Sequence, residues 1–123
     1  MNTSPEFTLS ARKKSFRYAW EGLKRFLKQE HNARIHGVAT VIAITGMIAF
    51  RLTSIERVLV TGSIAAVWIT EMLNTCVEKI ADTLVPHRDP RVKYIKDLAA
   101  GAVLLAALAA LATAFFIFLP KIF

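Results

Sequence analysis

Apolar positions in this chain gather into three long runs separated by short polar links, and each run is longer and poorer in charge than the buried stripe of a water-soluble helix. Leu98 to Leu119 carries no charged residue at all. At 1.5 Å per residue it reaches about 33 Å, enough to cross a hydrocarbon core of roughly 30 Å. Ile35 to Phe50 is a second run, interrupted by His36 near its start and bracketed by Arg34 and Arg51, whose long stems can reach the interface. The third extends from Val58 to about Leu84. Its first half is apolar and its second half bears a polar stripe that a helix facing other protein can tolerate. Ahead of these runs, Phe16, Ala19, Trp20, Leu23, Phe26 and Leu27 recur at helical spacing, with Arg17, Glu21, Lys24 and Lys28 on the other faces. That is the pattern of a helix lying in the headgroup layer.

Pro86 and Pro90 end the third run and delay the next helix, so the residues between them form a turn. The expected architecture is all-α integral membrane: a flexible N-terminus over 1–11, an amphipathic surface helix over 12–33 and a transmembrane region over 34–123, with spans at about 35–51, 57–84 and 95–119. Composition supports a membrane protein, with 54% hydrophobic residues and a mean hydropathy of +0.44. No secretory signal is expected, because the first 34 residues are basic and mixed. Cys76 is the single cysteine and can form no intrachain disulfide.

Charge gives the orientation. The formal net charge is +7. Arg12, Lys13, Lys14, Arg17, Lys24, Arg25, Lys28 and Arg34 precede the first span, and Lys79, Arg88, Arg91, Lys93 and Lys96 lie around the link between the second and third. By the positive-inside rule the N-terminus and the 79–97 link face the cytoplasm and the C-terminus faces outward. Most of these cations are read as anchors on anionic lipid. No nucleic acid is expected as a partner.

Glu71, Asn74, Glu78 and Asp82 stand at offsets of 0, 3, 7 and 11 residues. On a helix these offsets fall within an arc of about 80°, with the glutamates about 10 Å apart along the axis. An ionisable group among lipid-depth residues costs free energy unless it finds a partner or water, so this stripe is a functional-site candidate. Glu71 is flanked by Trp68, Ile69, Met72 and Leu73 and has no cation close to it in sequence. Bland roles are open to its neighbours: an interhelical hydrogen bond for Asn74, a cap or a pair with Lys79 for Asp82, a solvated helix start for Lys96 and Asp97.

His87-Arg88-Asp89 spells the start of a protein-kinase catalytic loop, but Tyr94 stands where that motif requires Asn, and no glycine-rich loop or DFG accompanies it. There is no GxxxxGK[ST] either. Carboxylates at the boundary between water and lipid nonetheless suit phosphoryl transfer to a lipid alcohol, since the lipid cannot leave the bilayer and Mg²⁺·ATP cannot enter it. Such a site needs oxygen ligands for Mg²⁺ and a group to orient the acceptor oxygen. Glu78, nearer the water, suits metal binding, and the deeper Glu71 suits orienting or deprotonating the hydroxyl.

The stretch Glu71-Met-Leu-Asn74-Thr-Cys-Val-Glu78, followed by Asp82, Lys96-Asp97 and a helix continuing Leu-Ala-Ala-Gly, closely resembles the prokaryotic diacylglycerol kinase family, which includes undecaprenol kinases. Tyr18-Ala-Trp20-Glu-Gly22-Leu is similar to the family's surface helix, and Glu30-His-Asn-Ala-Arg-Ile-His36 to the lead into its first span. The resemblance implies Glu71 as general base with Asn74 beside it, Glu30 and Glu78 as carboxylates for the Mg²⁺ of bound ATP, and Lys96 and Asp97 at the nucleotide, where Tyr18 also matches. Asp82 is carried as a supporting polar residue.

The resemblance further implies a bacterial cytoplasmic-membrane lipid kinase, homotrimeric, with ATP and a membrane lipid alcohol as substrates. The stripe Ala102, Ala106, Ala110 and Ala114 agrees with close helix association. His36 stands where the diacylglycerol-specific members carry a second acidic residue, and Leu-Ala-Ala-Gly-Ala follows Asp97 in place of a methionine-glycine-serine run. Both features resemble the polyprenol-using branch, so undecaprenol, or both lipids, is the implied acceptor. A reading from another class is a small carboxylate-dependent transporter. Such exporters generally have four spans with the essential acid in the first, whereas this chain has about three and carries its acids in the second.

Overall fold

The computed structural model describes residues 7–123, and these form four helices: α1 (Leu9–Gln29), α2 (His31–Ala49), α3 (Ser54–Leu84) and α4 (Pro90–Ile122). Residues 1–6 of the N-terminal stretch expected to be flexible lie outside the described part. The rest of that stretch is helical from Leu9, because the Thr8 side chain accepts a hydrogen bond of 3.0 Å from the Ala11 N–H and caps the helix.

The chain divides into an N-terminal unit ending at Arg34 and a second unit from Ile35 onward. In the first, α1 stops at Glu30, which leaves the helical region at φ −101° and ψ 119°. Arg34 explains the abrupt stop. Its guanidinium donates to the Leu27 carbonyl at 3.3 Å and the Lys28 carbonyl at 2.6 Å. A cation thereby satisfies carbonyls that the end of a helix leaves without partners, where the helix dipole favours positive charge.

In the second unit, α2 ends in a Schellman motif. The Leu52 N–H donates to the Met47 carbonyl and the Arg51 N–H to that of Ile48, both at 3.4 Å. Arg51 occupies the left-handed position at φ 50°, which glycine usually fills. The motif drives Leu52 inward, where it is 1% exposed and packs with Val60 and Ile117 against Ala43, Met47, Ile64 and Phe118. Gly46 lets α2 approach here, since a Cβ on it would meet the Phe118 ring at 3.2 Å. A reciprocal capping box then starts α3: Thr53 Oγ1 accepts from the Glu56 N–H and Glu56 Oε1 accepts from the Thr53 N–H. The ammonium of Lys121 joins the same carboxylate at 3.3 Å, tying the end of α4 to the start of α3.

α3 and α4 are joined by the 85–89 link and pack along one another. At 19, 31 and 33 residues, α2, α3 and α4 are all long and apolar enough to cross a membrane. Large apolar side chains remain exposed on each, among them Val41, Ile48, Val58, Leu105 and Phe116. A surface of that kind is stable facing lipid and costly facing water.

Candidate active site

Between α2, α3 and α4 lies an apolar cleft of about 620 Å³. Gly46, Phe50, Val60 and Phe118 line it near the packed end, and His36, Thr40, Val67 and Trp68 line it toward the polar stripe, with Ala107, Ala110 and Ala114 forming the α4 wall. Two members of the alanine stripe expected to promote close helix contact therefore border open space in this chain.

At the polar end of the cleft α2 and α3 are joined by two rungs. His36 Nε2 faces Glu71 Oε2 at 3.3 Å. Whenever Glu71 is ionised its carboxylate only accepts, and the imidazole is then the donor. One turn further along α2, Thr40 Oγ1 accepts from the Trp68 indole N–H at 2.8 Å. Glu71 is buried, at 5% exposed.

Asn74, one turn beyond Glu71, is also buried, and its amide donates to Glu78 Oε1 at 3.4 Å. Its Oδ1 is buried too and accepts no hydrogen bond among the described residues. Burying such an atom without a partner costs free energy, and a cation or a donor on a bound ligand would satisfy it. The carboxylate of Glu78, half-buried on the same face, adds hard oxygen donors beside it. This donor set suits Mg²⁺, which keeps waters and substrate phosphates and needs only one or two protein carboxylates. Among the described residues no group of three or more His, Cys, Asp or Glu side chains converges.

Asp82 is exposed and paired with Lys96 of α4, Nζ to Oδ1 at 2.8 Å. Asp97 accepts from Lys93 Nζ at 2.6 Å, one turn earlier on its own helix. Asp82, Lys96 and Asp97 all border a second, polar cleft of about 500 Å³ at the α3–α4 link, together with His87, Arg88 and Lys93. Asp89 caps α4 there, and the Arg91 guanidinium and backbone N–H that it accepts from hold its carboxyl down at about 2.

In the N-terminal unit, Tyr18 is exposed mid-way along α1 with the Arg17 guanidinium 5.4 Å from its ring centroid, and Glu30 is the half-buried C-cap residue of α1. Thus Glu71, Asn74, Glu78 and Asp82 follow one another along one face of α3, and Asp82 draws in Lys96 and, beside it, Asp97. His36 was legible only as a departure from an acidic position. Its signal was the one-turn spacing of His36 and Thr40 on α2, which matches that of Trp68 and Glu71 on α3.

The family model described as prokaryotic diacylglycerol kinase matches residues 17–118, nearly the whole described chain. The chain belongs to the prokaryotic diacylglycerol kinase family. Among relatives in the family, a diacylglycerol kinase of Synechocystis is 38% identical over 109 residues, which cover 88% of this chain and 62% of that protein. An undecaprenol kinase of Bacillus subtilis is 31% identical over 109 residues, covering 89% of each chain. A diacylglycerol kinase of Escherichia coli is 31% identical over 96 residues, covering 78% of this chain and 79% of the other. Relatives named for either lipid therefore match this chain at similar identity. All of the site residues singled out above fall inside the matched region.

Proposed function

We propose that this protein is an ATP-dependent lipid kinase that transfers the γ-phosphoryl group to the hydroxyl of a membrane lipid, either diacylglycerol or undecaprenol. The observation that carries the reading is a buried, hydrogen-bonded Glu71 close to the polar end of an apolar cleft that opens among membrane-spanning helices. Family membership supplies the reaction class, and the cleft is a fitting place for a hydrocarbon chain.

Depth agrees. Measured from its capped start at Ser54, α3 carries Glu71 about 26 Å along and Glu78 about 36 Å along. For a hydrocarbon core of roughly 30 Å, Glu71 then lies just inside the boundary and Glu78 just outside it. A lipid hydroxyl and a nucleotide can meet between them. The positive-inside rule puts this end on the cytoplasmic side, where ATP is, with the N-terminus. The exposed Phe16, Trp20 and Leu27, set among arginines and lysines on α1, support a helix resting in the headgroup layer.

In the reaction, the lipid oxygen attacks the γ-phosphorus, Glu71 accepts the hydroxyl proton, and the bond from the γ-phosphorus to the bridging oxygen breaks to release ADP. Glu78 and Glu30 would hold Mg²⁺ with the phosphates, and the metal would neutralise charge on the phosphoryl oxygens. Asn74 ties Glu78 to the helix face that carries Glu71. Lys96 and Asp97, on the polar cleft, would contact the nucleotide, with Tyr18 beside it. The exposed apolar faces of the helices support a homo-oligomer, with a trimer as our reading.

The test is direct: purified protein in mixed micelles with labelled ATP, Mg²⁺ and either diacylglycerol or undecaprenol. Label transferred to lipid is the expected result, and the preferred acceptor identifies the substrate. Absence of transfer to either lipid, with the protein folded, would refute the proposal.

A further inference from the structure

The two rungs that join α2 to α3 form one connected device ending on Glu71. The Thr40 hydroxyl hydrogen goes to the His36 carbonyl at 2.7 Å, while its oxygen accepts from the Trp68 indole. The Trp68 ring packs edge-on against the His36 ring, with centroids 6.4 Å apart at 60°. The imidazole is thus braced by the Trp68 ring, which Thr40 holds through the indole N–H, and it presents Nε2 to a single oxygen of Glu71. The other oxygen, Oε1, takes no hydrogen bond among the described residues.

We propose that His36 is a positioning residue for the phosphoryl transfer: it holds Glu71 by Oε2 so that Oε1 is presented to the lipid hydroxyl, and Trp68, itself held by Thr40, keeps the imidazole in place. This rests on the reading of Glu71 as the base. A glutamate has three rotatable bonds, and at lipid depth little water is present to hold it. Without a fixed donor the carboxylate spends most of its time out of line with the acceptor. A carboxyl at position 36 could donate to Glu71 only in its protonated form, whereas an imidazole donates whether neutral or cationic. This chain therefore secures its base with a neutral or cationic donor.

The experiment uses the full chain in mixed micelles, with kcat and the KM for Mg²⁺·ATP measured for His36→Phe, His36→Gln and Glu71→Gln. His36→Phe keeps a ring against Trp68 and removes the donor, and it is expected to lower kcat about tenfold or more with the KM for ATP within about twofold. His36→Gln offers an amide N–H and is expected to recover kcat to within about threefold of the parent. Equal impairment in both variants, or a His36→Phe kcat within about twofold of the parent, would overturn the positioning role. Glu71→Gln separates the two levels. If it is inactive while His36→Phe is normal, only the positioning role fails, and if it is active the base assignment itself fails. Should His36→Phe not fold, Thr40→Val carries the test: a loss in kcat of about threefold with unchanged KM supports the device, and an unchanged kcat overturns it.

Discussion

Replacing Glu71 by Gln exchanges one carboxylate oxygen for an amide NH₂ in a buried site, and the consequences for the fold and for catalysis can be weighed separately. The amide oxygen of the new side chain can still accept from His36 Nε2, now 3.3 Å from a carboxylate oxygen, so the rung survives as a neutral hydrogen bond. Charge-assisted hydrogen bonds exceed neutral ones by about 1 kcal/mol, and relief from burying a charge acts in the opposite direction, so the net effect on stability stays within about 1 kcal/mol. Loss of a general base is a larger effect, about 10² to 10⁴ in rate, equivalent to about 3–5 kcal/mol on the barrier. The expected outcome is therefore a kcat lowered at least about a hundredfold in a protein that elutes and melts like its parent. The assay is label transfer from ATP to lipid in mixed micelles at saturating substrates, beside a thermal melt in the same detergent. A kcat within about tenfold of the parent would remove Glu71 from the base role, and a large drop in melting temperature would show that the carboxylate serves the fold instead.

Glu78→Gln removes a charged oxygen donor beside the orphaned Asn74 Oδ1, and a Mg²⁺ titration of activity should show a half-saturating concentration raised about tenfold or more, with much of kcat regained at high Mg²⁺. Arg51→Gly should stabilise the protein by about 0.5–1 kcal/mol in thermal melts. The left-handed backbone costs a residue with a Cβ about 1–2 kcal/mol, and the greater freedom of glycine in the unfolded chain returns only part of that. Asp89 is held at about 2 from an ordinary 3.8. Its depressed value means that its stabilising contribution is complete above the ordinary pKa and is lost as pH falls from about 4 toward 2. The melting temperature of the parent should therefore drop more across that window than that of Asp89→Asn, and parallel curves would refute the cap's role.

The number of membrane helices was legible in the chain because hydrophobicity is a local property: an uncharged run such as Leu98 to Leu119 needs no partner to declare itself, and prolines and polar links mark its limits. The stripe on α3 was legible for the same reason, since helical periodicity places Glu71, Asn74, Glu78 and Asp82 on one face whatever packs against it. Burial of Glu71 and Asn74 could be anticipated from apolar neighbours. What holds them could not. His36 is 35 residues from Glu71 and Lys96 is 14 from Asp82, and which of several polar groups meet depends on how far one helix slides and rotates against another.

Sequence alone thus decided the membrane class, the helices and the helix face that carries the carboxylates, because each follows from the spacing of side chains along one backbone. The tertiary structure decided that an imidazole grips one oxygen of Glu71, that Lys96 of α4 pairs with Asp82, and that three helices leave an apolar cleft close to the acid. These are matters of register between helices, and register is set by distant packing at Leu52, Gly46 and Phe118 that no local pattern encodes.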